Sequence, residues 1–205
     1  MDETSFLLQG PAGNIEVIAS PRPATSNKNI TVIICHPHPL FGGTMNNKVV
    51  TTLERTFKEL GLATVRFNFR GVGKSEGIYD EGKGEVQDLI AIVDWVKKNN
   101  PENSLWLAGF SFGSYVAAVG ATVLPCEKLI CIAPPVTRFG FVDLKVQCPW
   151  IVVQGEEDDV VIPSDVYAWV DSQSNKPVLI KIPGASHFFH GKLMELRDQL
   201  FAVSQ

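Results

Sequence analysis

Along the chain, apolar residues fall into two rhythms, solid short runs and stripes spaced at three and four, and their alternation predicts strands and helices in turn. Residues 4–9 and 14–19 are short strand-like runs joined by Gly10-Pro11-Ala12-Gly13, a composition that predicts an antiparallel hairpin at a sheet edge. The polar, Pro-rich stretch 20–29 is a surface loop. ITVIIC at 30–35 is apolar on both faces, as a central parallel strand covered by helices must be. Residues 46–60 carry Val49, Val50, Leu53, Phe57 and Leu60 on one helical face, with Gly61 as a stop. A strand is predicted over 62–69 and a helix over 85–98, where Val86, Leu89, Ile90, Val93 and Val96 form the stripe before Pro101 breaks it. A strand from Leu105 runs into a helix reaching Val119, and strands at 128–133, 150–154 and 178–182 follow, with helices at 164–173 and 189–203. So regular an alternation predicts an α/β fold: a mostly parallel, doubly wound sheet with an antiparallel start and helices on both faces.

Composition narrows the picture. At 205 residues and 45% hydrophobic, the chain suits a single domain spanning 1–205. The net charge of −4 is spread among interspersed acids and bases, with no basic run longer than Lys97-Lys98, so neither nucleic acid nor a membrane surface is expected as a partner. The first ten residues, MDETSFLLQG, lack a basic stretch followed by a long apolar one, which points to the cytoplasm. Cys35, Cys126, Cys131 and Cys148 lie singly with no C-x-x-C pair and read as reduced thiols rather than a disulfide frame or a zinc site.

Candidate chemistry concentrates where strands end. Gly109-Phe-Ser111-Phe-Gly113 sits at a strand-to-helix join, the setting of a nucleophile elbow, where a tight turn lifts a serine hydroxyl above the sheet. The competing reading of Ser111 is a helix N-cap. The Phe112 amide, at the helix N-terminus, would face whatever Ser111 attacks. His36-Pro-His38-Pro-Leu40-Phe41-Gly-Gly follows the first central strand and must be an irregular loop; amides around Leu40 are candidates for a second oxyanion donor. His36 and His38 also raise a metal reading, which lacks a third ligand nearby, so no metal is expected. Gly73-Lys74-Ser75 resembles the end of a phosphate-binding loop, but Asn68 stands where the first glycine is needed and Gly77, Gly82 and Gly84 follow where a helix should begin.

Two further loops supply what a serine lacks. After 150–154 comes Gly155-Glu-Glu-Asp158-Asp159, and after 178–182 comes Pro183-Gly-Ala-Ser-His187-Phe188-Phe-His190. A serine hydroxyl needs a base to take its proton as it attacks, an imidazole can do so near neutral pH, and a carboxylate fixes the imidazole's tautomer. Asp159 competes with Asp158 for the last role and His190 with His187 for the base.

In the order Ser, acid, His, and in the motifs at 36–43, 69–75, 109–113, 155–158 and 186–189, the chain resembles the α/β-hydrolase superfamily, in particular small lidless serine hydrolases related to dienelactone hydrolases and bacterial carboxylesterases. The resemblance covers residues 30–203. It implies Ser111 as nucleophile, His187 as general base, Asp158 as orienting acid and the amides of Leu40 and Phe112 as the oxyanion hole. Residues 134–149 are too few for a cap domain, so an open site is expected. Phe41, Phe112, Phe139, Phe141, Phe188 and Phe189 lie on or beside site loops, with Phe41 and Phe188 as candidate substrate contacts. Dienelactone hydrolases use Cys as the nucleophile, whereas Ser111 argues for ordinary ester hydrolysis. The implied activity is a serine carboxylesterase acting on a small-molecule ester or thioester without a cofactor; a peptidase or amidase on the same residues, and a non-catalytic binding module, are the alternatives.

Overall fold

The computed structural model describes residues 3–204. Its sheet has eight strands: β1 (Thr4–Gly10), β2 (Gly13–Ser20), β3 (Ile30–Cys35), β4 (Ala63–Phe67), β5 (Ser104–Phe110), β6 (Lys128–Ile132), β7 (Trp150–Gly155) and β8 (Val178–Ile182). They lie in the order β1-β2-β4-β3-β5-β6-β7-β8. β1 pairs antiparallel with β2 and β2 antiparallel with β4, after which every pairing is parallel. The helices are α1 (Lys48–Glu59), α2 (Lys83–Asn99), α3 (Phe112–Val123), α4 (Pro163–Ser172) and α5 (Leu193–Val203).

The solid apolar runs become strands because both faces are covered. On one face Val86 and Leu89 of α2, Val116 of α3 and Trp169 of α4 pack over Ile33, Leu107 and Val152. On the other, Leu53 and Phe57 of α1 and Leu196 and Leu200 of α5 pack over Val32, Ile34 and Val153. Each of these side chains removed from water contributes about 1.5–3 kcal/mol, which is why a slip in strand register would be costly. From β3 the chain steps one way to β4 and then back across to β5 on the other side. The loops leaving β3 and β5 therefore diverge, and a crevice opens between them at the C-terminal edge of the sheet.

Several boundaries move by one to four residues from the sequence pattern, and two of the shifts have a visible cause. The last helix starts at Leu193 rather than at 189, because Phe189 and Gly191 have φ of 53° and 70° and the backbone turns twice before it can wind. Helix α2 starts at Lys83, two residues before the predicted 85. Gly82, at φ 94°, reverses the chain there, and the buried Glu85 carboxylate accepts the amides of Asp80 (2.9 Å) and Gly82 (2.8 Å), satisfying donors that the helix start leaves open.

Candidate active site

Ser111 takes φ 54° and ψ −120°, a conformation a non-glycine residue holds only when its surroundings impose it. The imposition is visible. The Ser111 amide donates to the Ile132 carbonyl of the neighbouring strand (2.8 Å), and the Ser111 carbonyl accepts the Ser114 amide (2.8 Å). The buried Ser114 hydroxyl lies between the carbonyls of Gly109 (2.8 Å) and Ile132 (2.9 Å). A Cβ on residue 109 would run into the Gly113 carbonyl, and one on residue 113 into the Cys35 carbonyl, so both positions must be glycine for α3 to pass this close to β3 and β5.

Ser111, His187 and Asp158, which lie 76 and 29 residues apart in sequence, meet at this edge. The Ser111 Oγ is 3.0 Å from His187 Nε2, and His187 Nδ1 is 2.8 Å from Asp158 Oδ2. The Asp158 carboxylate is enclosed. Its Oδ1 accepts the amides of Val160 (2.9 Å) and Val161 (2.8 Å), and its Oδ2 accepts Gln154 Nε2 (3.0 Å) beside the His187 ring. Burial pushes the Asp158 pKa up, but the hydrogen bond from His187, those from the two amides and the imidazole's charge together outweigh it and hold the group below the ordinary carboxylate value. Asp158 is therefore an anion whose remaining lone pairs are already satisfied. What it can still do is hold the His187 ring with its proton on Nδ1 and its lone pair toward Ser111.

Gln154 was not singled out by the sequence pattern. Its Nε2 also faces the carbonyls of Gly155 (3.2 Å) and Val161 (3.3 Å), bracing the turn that carries Asp158. The available signal was a single amide closing an otherwise apolar, wholly buried strand. The two competitors lie apart: Asp159 and His190 are both exposed, and His190 sits in the turn before α5.

The loop after β3 hangs on His36. Its ring is fully buried; Nε2 accepts the Phe69 amide (3.0 Å), so the proton must be on Nδ1, where it is donated to the Pro37 carbonyl (2.6 Å). Burial, only partly opposed by that hydrogen bond, lowers the pKa to about 4. Because the folded value lies below the ordinary 6.5, the unfolded chain binds the proton first as acid is added. Stability from this group is complete above pH 6.5 and drains away toward pH 4, by about 3 kcal/mol. Urea unfolding at pH 7 and pH 5 is expected to show the fall, and His36→Gln to flatten it; an equal slope in both proteins would remove His36 as its source.

His38 is held differently. Its Nδ1 accepts the Leu40 amide (3.3 Å), its Nε2 is 3.2 Å from the Tyr79 hydroxyl, and its ring packs on Phe41, Tyr79 and Phe112. The Leu40 amide is thus engaged within its own loop, and Leu40 points to solvent at 68% exposure. The amides of His38 and Phe112 have no hydrogen-bond partner among the described residues. Neither His36 nor His38 joins a metal-binding cluster: among the described residues no three His, Cys, Asp or Glu side chains are grouped to hold an ion.

The Gly73-Lys74-Ser75 turn holds no phosphate cradle. The Glu16 carboxylate occupies it, accepting the Lys74 amide (2.9 Å) and Asn68 Nδ2 (2.8 Å), while the Ser75 hydroxyl donates to the Asn68 carbonyl (2.7 Å). A phosphate would have to replace a fixed negative charge there.

Above Ser111 and His187 opens a cavity of about 380 Å³ whose walls are largely aromatic and aliphatic: Phe41, Phe112, Phe139, Val160 and Phe188. Phe141 and Phe189, also expected there, are instead fully buried core residues. A larger hollow of about 600 Å³, around Phe6, Thr64 and Trp95 at the opposite end of the strands, contains neither Ser111 nor His187.

Residues 17–144 match the family described as X-Pro dipeptidyl-peptidase (S15 family), an α/β-hydrolase family. An α/β serine hydrolase homologue from Coxiella burnetii superposes with a TM-score of 0.95 at 52% identity, over 98% of this chain and 97% of that one. The chain belongs to the α/β-hydrolase family. A serine hydrolase without a lid from Xanthomonas campestris is similar to this hydrolase at 44% identity and a TM-score of 0.94, over 98% and 92% of the two chains. An uncharacterised protein of Rickettsia prowazekii is 38% identical over 95% of this hydrolase and 87% of its own length. The short segment 134–149 agrees with the lidless relatives: it carries one turn of 3-10 helix, Phe141–Asp143, and no cap. Among the described residues no helix is long and apolar enough to cross a membrane.

Proposed function

We propose that this hydrolase cleaves carboxylic esters, and by the same chemistry thioesters, through an acyl-enzyme on Ser111. The reading rests on one observation, the hydrogen-bonded run from Ser111 through His187 to the buried Asp158 at the floor of an apolar cavity. His187 Nε2 takes the hydroxyl proton as Oγ attacks the carbonyl carbon. It then passes that proton to the departing alcohol, and repeats the cycle with water to release the acid. The amide of Phe112, at the start of α3, receives the developing oxyanion. For the second donor the reading favours the His38 amide over that of Leu40, because the Leu40 N–H already bonds the His38 ring. The scheme requires no metal or organic cofactor. The four unpaired cysteines support a reducing, cytoplasmic setting.

The S15 description favours a second reading, a dipeptidyl peptidase. An enzyme cutting behind the second residue must recognise a protonated amino terminus, which calls for a carboxylate at the cavity wall. Among the described residues, those lining this cavity include Arg138 and no Asp or Glu, and that favours the ester. Two measurements decide. A fluorophosphonate probe is expected to label Ser111, and p-nitrophenyl acetate to be turned over while an aminoacyl-prolyl arylamide is not. Cleavage of the arylamide alone would transfer the reading to a peptidase, and absence of labelling would favour a non-catalytic binding module.

A further inference from the structure

We propose that Arg138 makes this cavity selective for esters bearing a negative charge, a carboxylate or a phosphate, away from the scissile bond; the inference deepens the ester-hydrolase reading and rests on it. Arg138 follows β6 in the segment where a cap would be inserted, and it contributes to the wall of the cavity above Ser111. Its side chain is exposed, and no carboxylate lies within ion-pair distance of it among the described residues. That sets it apart from Arg66, Arg70 and Arg197, whose guanidinium groups are satisfied by Glu54, Asp88 and Glu59.

Arg138 is also held in place. Its amide donates to the Pro135 carbonyl (2.9 Å) and its carbonyl accepts the Phe141 amide (3.1 Å). The next residue, Phe139, at φ 59°, turns inward to stack on Tyr115 with ring centres 5.3 Å apart and to pack edge-on against Phe112. This anchor holds the backbone of residue 138 at the mouth, with its charge near His38, whose pKa is lowered by burial first and then by the Arg138 charge. The neighbouring imidazole is therefore kept neutral, and the positive charge at the mouth belongs to Arg138. Much of the remaining wall is apolar, with Phe41 84% exposed and Val160 and Phe188 partly so. A substrate that suits both sides has an apolar body and an anionic group, onto which a guanidinium forks two hydrogen bonds.

Matched ester pairs, compared by their kcat/KM values, test this. The hemiglutarate against the pentanoate ester of p-nitrophenol places the charge on the acyl side; p-acetoxybenzoate against its methyl ester places it on the leaving group. The native protein is expected to prefer the anionic member of at least one pair. Arg138→Gln should lower that preference about tenfold, Arg138→Glu should reverse it, and raising salt to about 0.5 M should erode it. An unchanged preference in Arg138→Gln, or none in the native protein while both esters are cleaved, would overturn the anion site and leave the esterase reading standing. Calorimetric titration of Ser111→Ala with glutarate and with methyl phosphate separates the carboxylate from the phosphate and does not depend on turnover. Binding weakened by Arg138→Gln supports the site, and binding indifferent to it rejects it. If no ester is cleaved by the native protein, the proposed function fails and the titration still decides the anion site.

Discussion

Replacing Ser111 by alanine is expected to lower ester hydrolysis by about 10⁴-fold or more, and replacing it by glycine to do the same while yielding the more stable protein. The two variants separate the residue's chemistry from its backbone. Both remove the hydroxyl that faces His187 Nε2 at 3.0 Å, so neither can form an acyl-enzyme. At φ 54°, however, alanine keeps the strain that a Cβ imposes in this region, whereas glycine adopts the conformation freely. Strain of this kind costs about 1–3 kcal/mol, part of which glycine gives back through the greater freedom of its unfolded chain. A net advantage of about 1 kcal/mol for Ser111→Gly over Ser111→Ala is expected in urea unfolding. Near-native turnover in either variant would remove Ser111 as nucleophile. Equal stability would mean that the hydrogen bonds to the Ile132 carbonyl and from the Ser114 amide, rather than the turn itself, set the local energy.

The sequence pattern carried the fold because the five central strands, β3 to β7, are buried on both faces. A run such as ITVIIC at β3 or WIVVQ at β7 cannot be read as an amphipathic helix, and the glycine and proline clusters between runs mark the loops. The elbow was legible for a related reason: the two glycines of Gly109-Phe-Ser-Phe-Gly113 are demanded by close backbone approaches, which leave a local signature. What the pattern left out or misread depended on side-chain contacts and backbone conformation, only some of them distant in sequence. The engagement of the Leu40 amide by the His38 ring is a side-chain detail that no spacing encodes, and Gln154 gains its meaning from Asp158 only once the turn after β7 has formed. Gly73-Lys74-Ser75 gave a false phosphate signal because the residue that fills the turn, Glu16, comes from β2, far upstream. The last helix was drawn too long since Phe189 fits an apolar stripe, and only its left-handed backbone shows that it plugs the core from a loop.

Asp158→Asn is expected to lower kcat by about 10⁴-fold with the overall fold retained, because of where the four donors around this carboxylate lie. If the asparagine oxygen keeps the amides of Val160 and Val161, its NH₂ must face the two donors that Asp158 Oδ2 now accepts, His187 Nδ1–H and Gln154 Nε2–H. Two donors cannot face two more. The imidazole can escape by moving its proton to Nε2, so that Nδ1 accepts from the asparagine; Nε2 then presents N–H to Ser111 and the serine loses its base. Gln154 can escape by rotating its buried and unpartnered Oε1 toward residue 158, which forfeits its contacts with the carbonyls of Gly155 and Val161. A stability loss of about 1–3 kcal/mol should accompany the loss of turnover for that reason. The companion change Asp159→Asn, at an exposed side chain, should alter neither quantity. Steady-state kinetics and urea unfolding on the two variants read both effects. Full activity in Asp158→Asn, or a large loss in Asp159→Asn, would reassign the orienting acid.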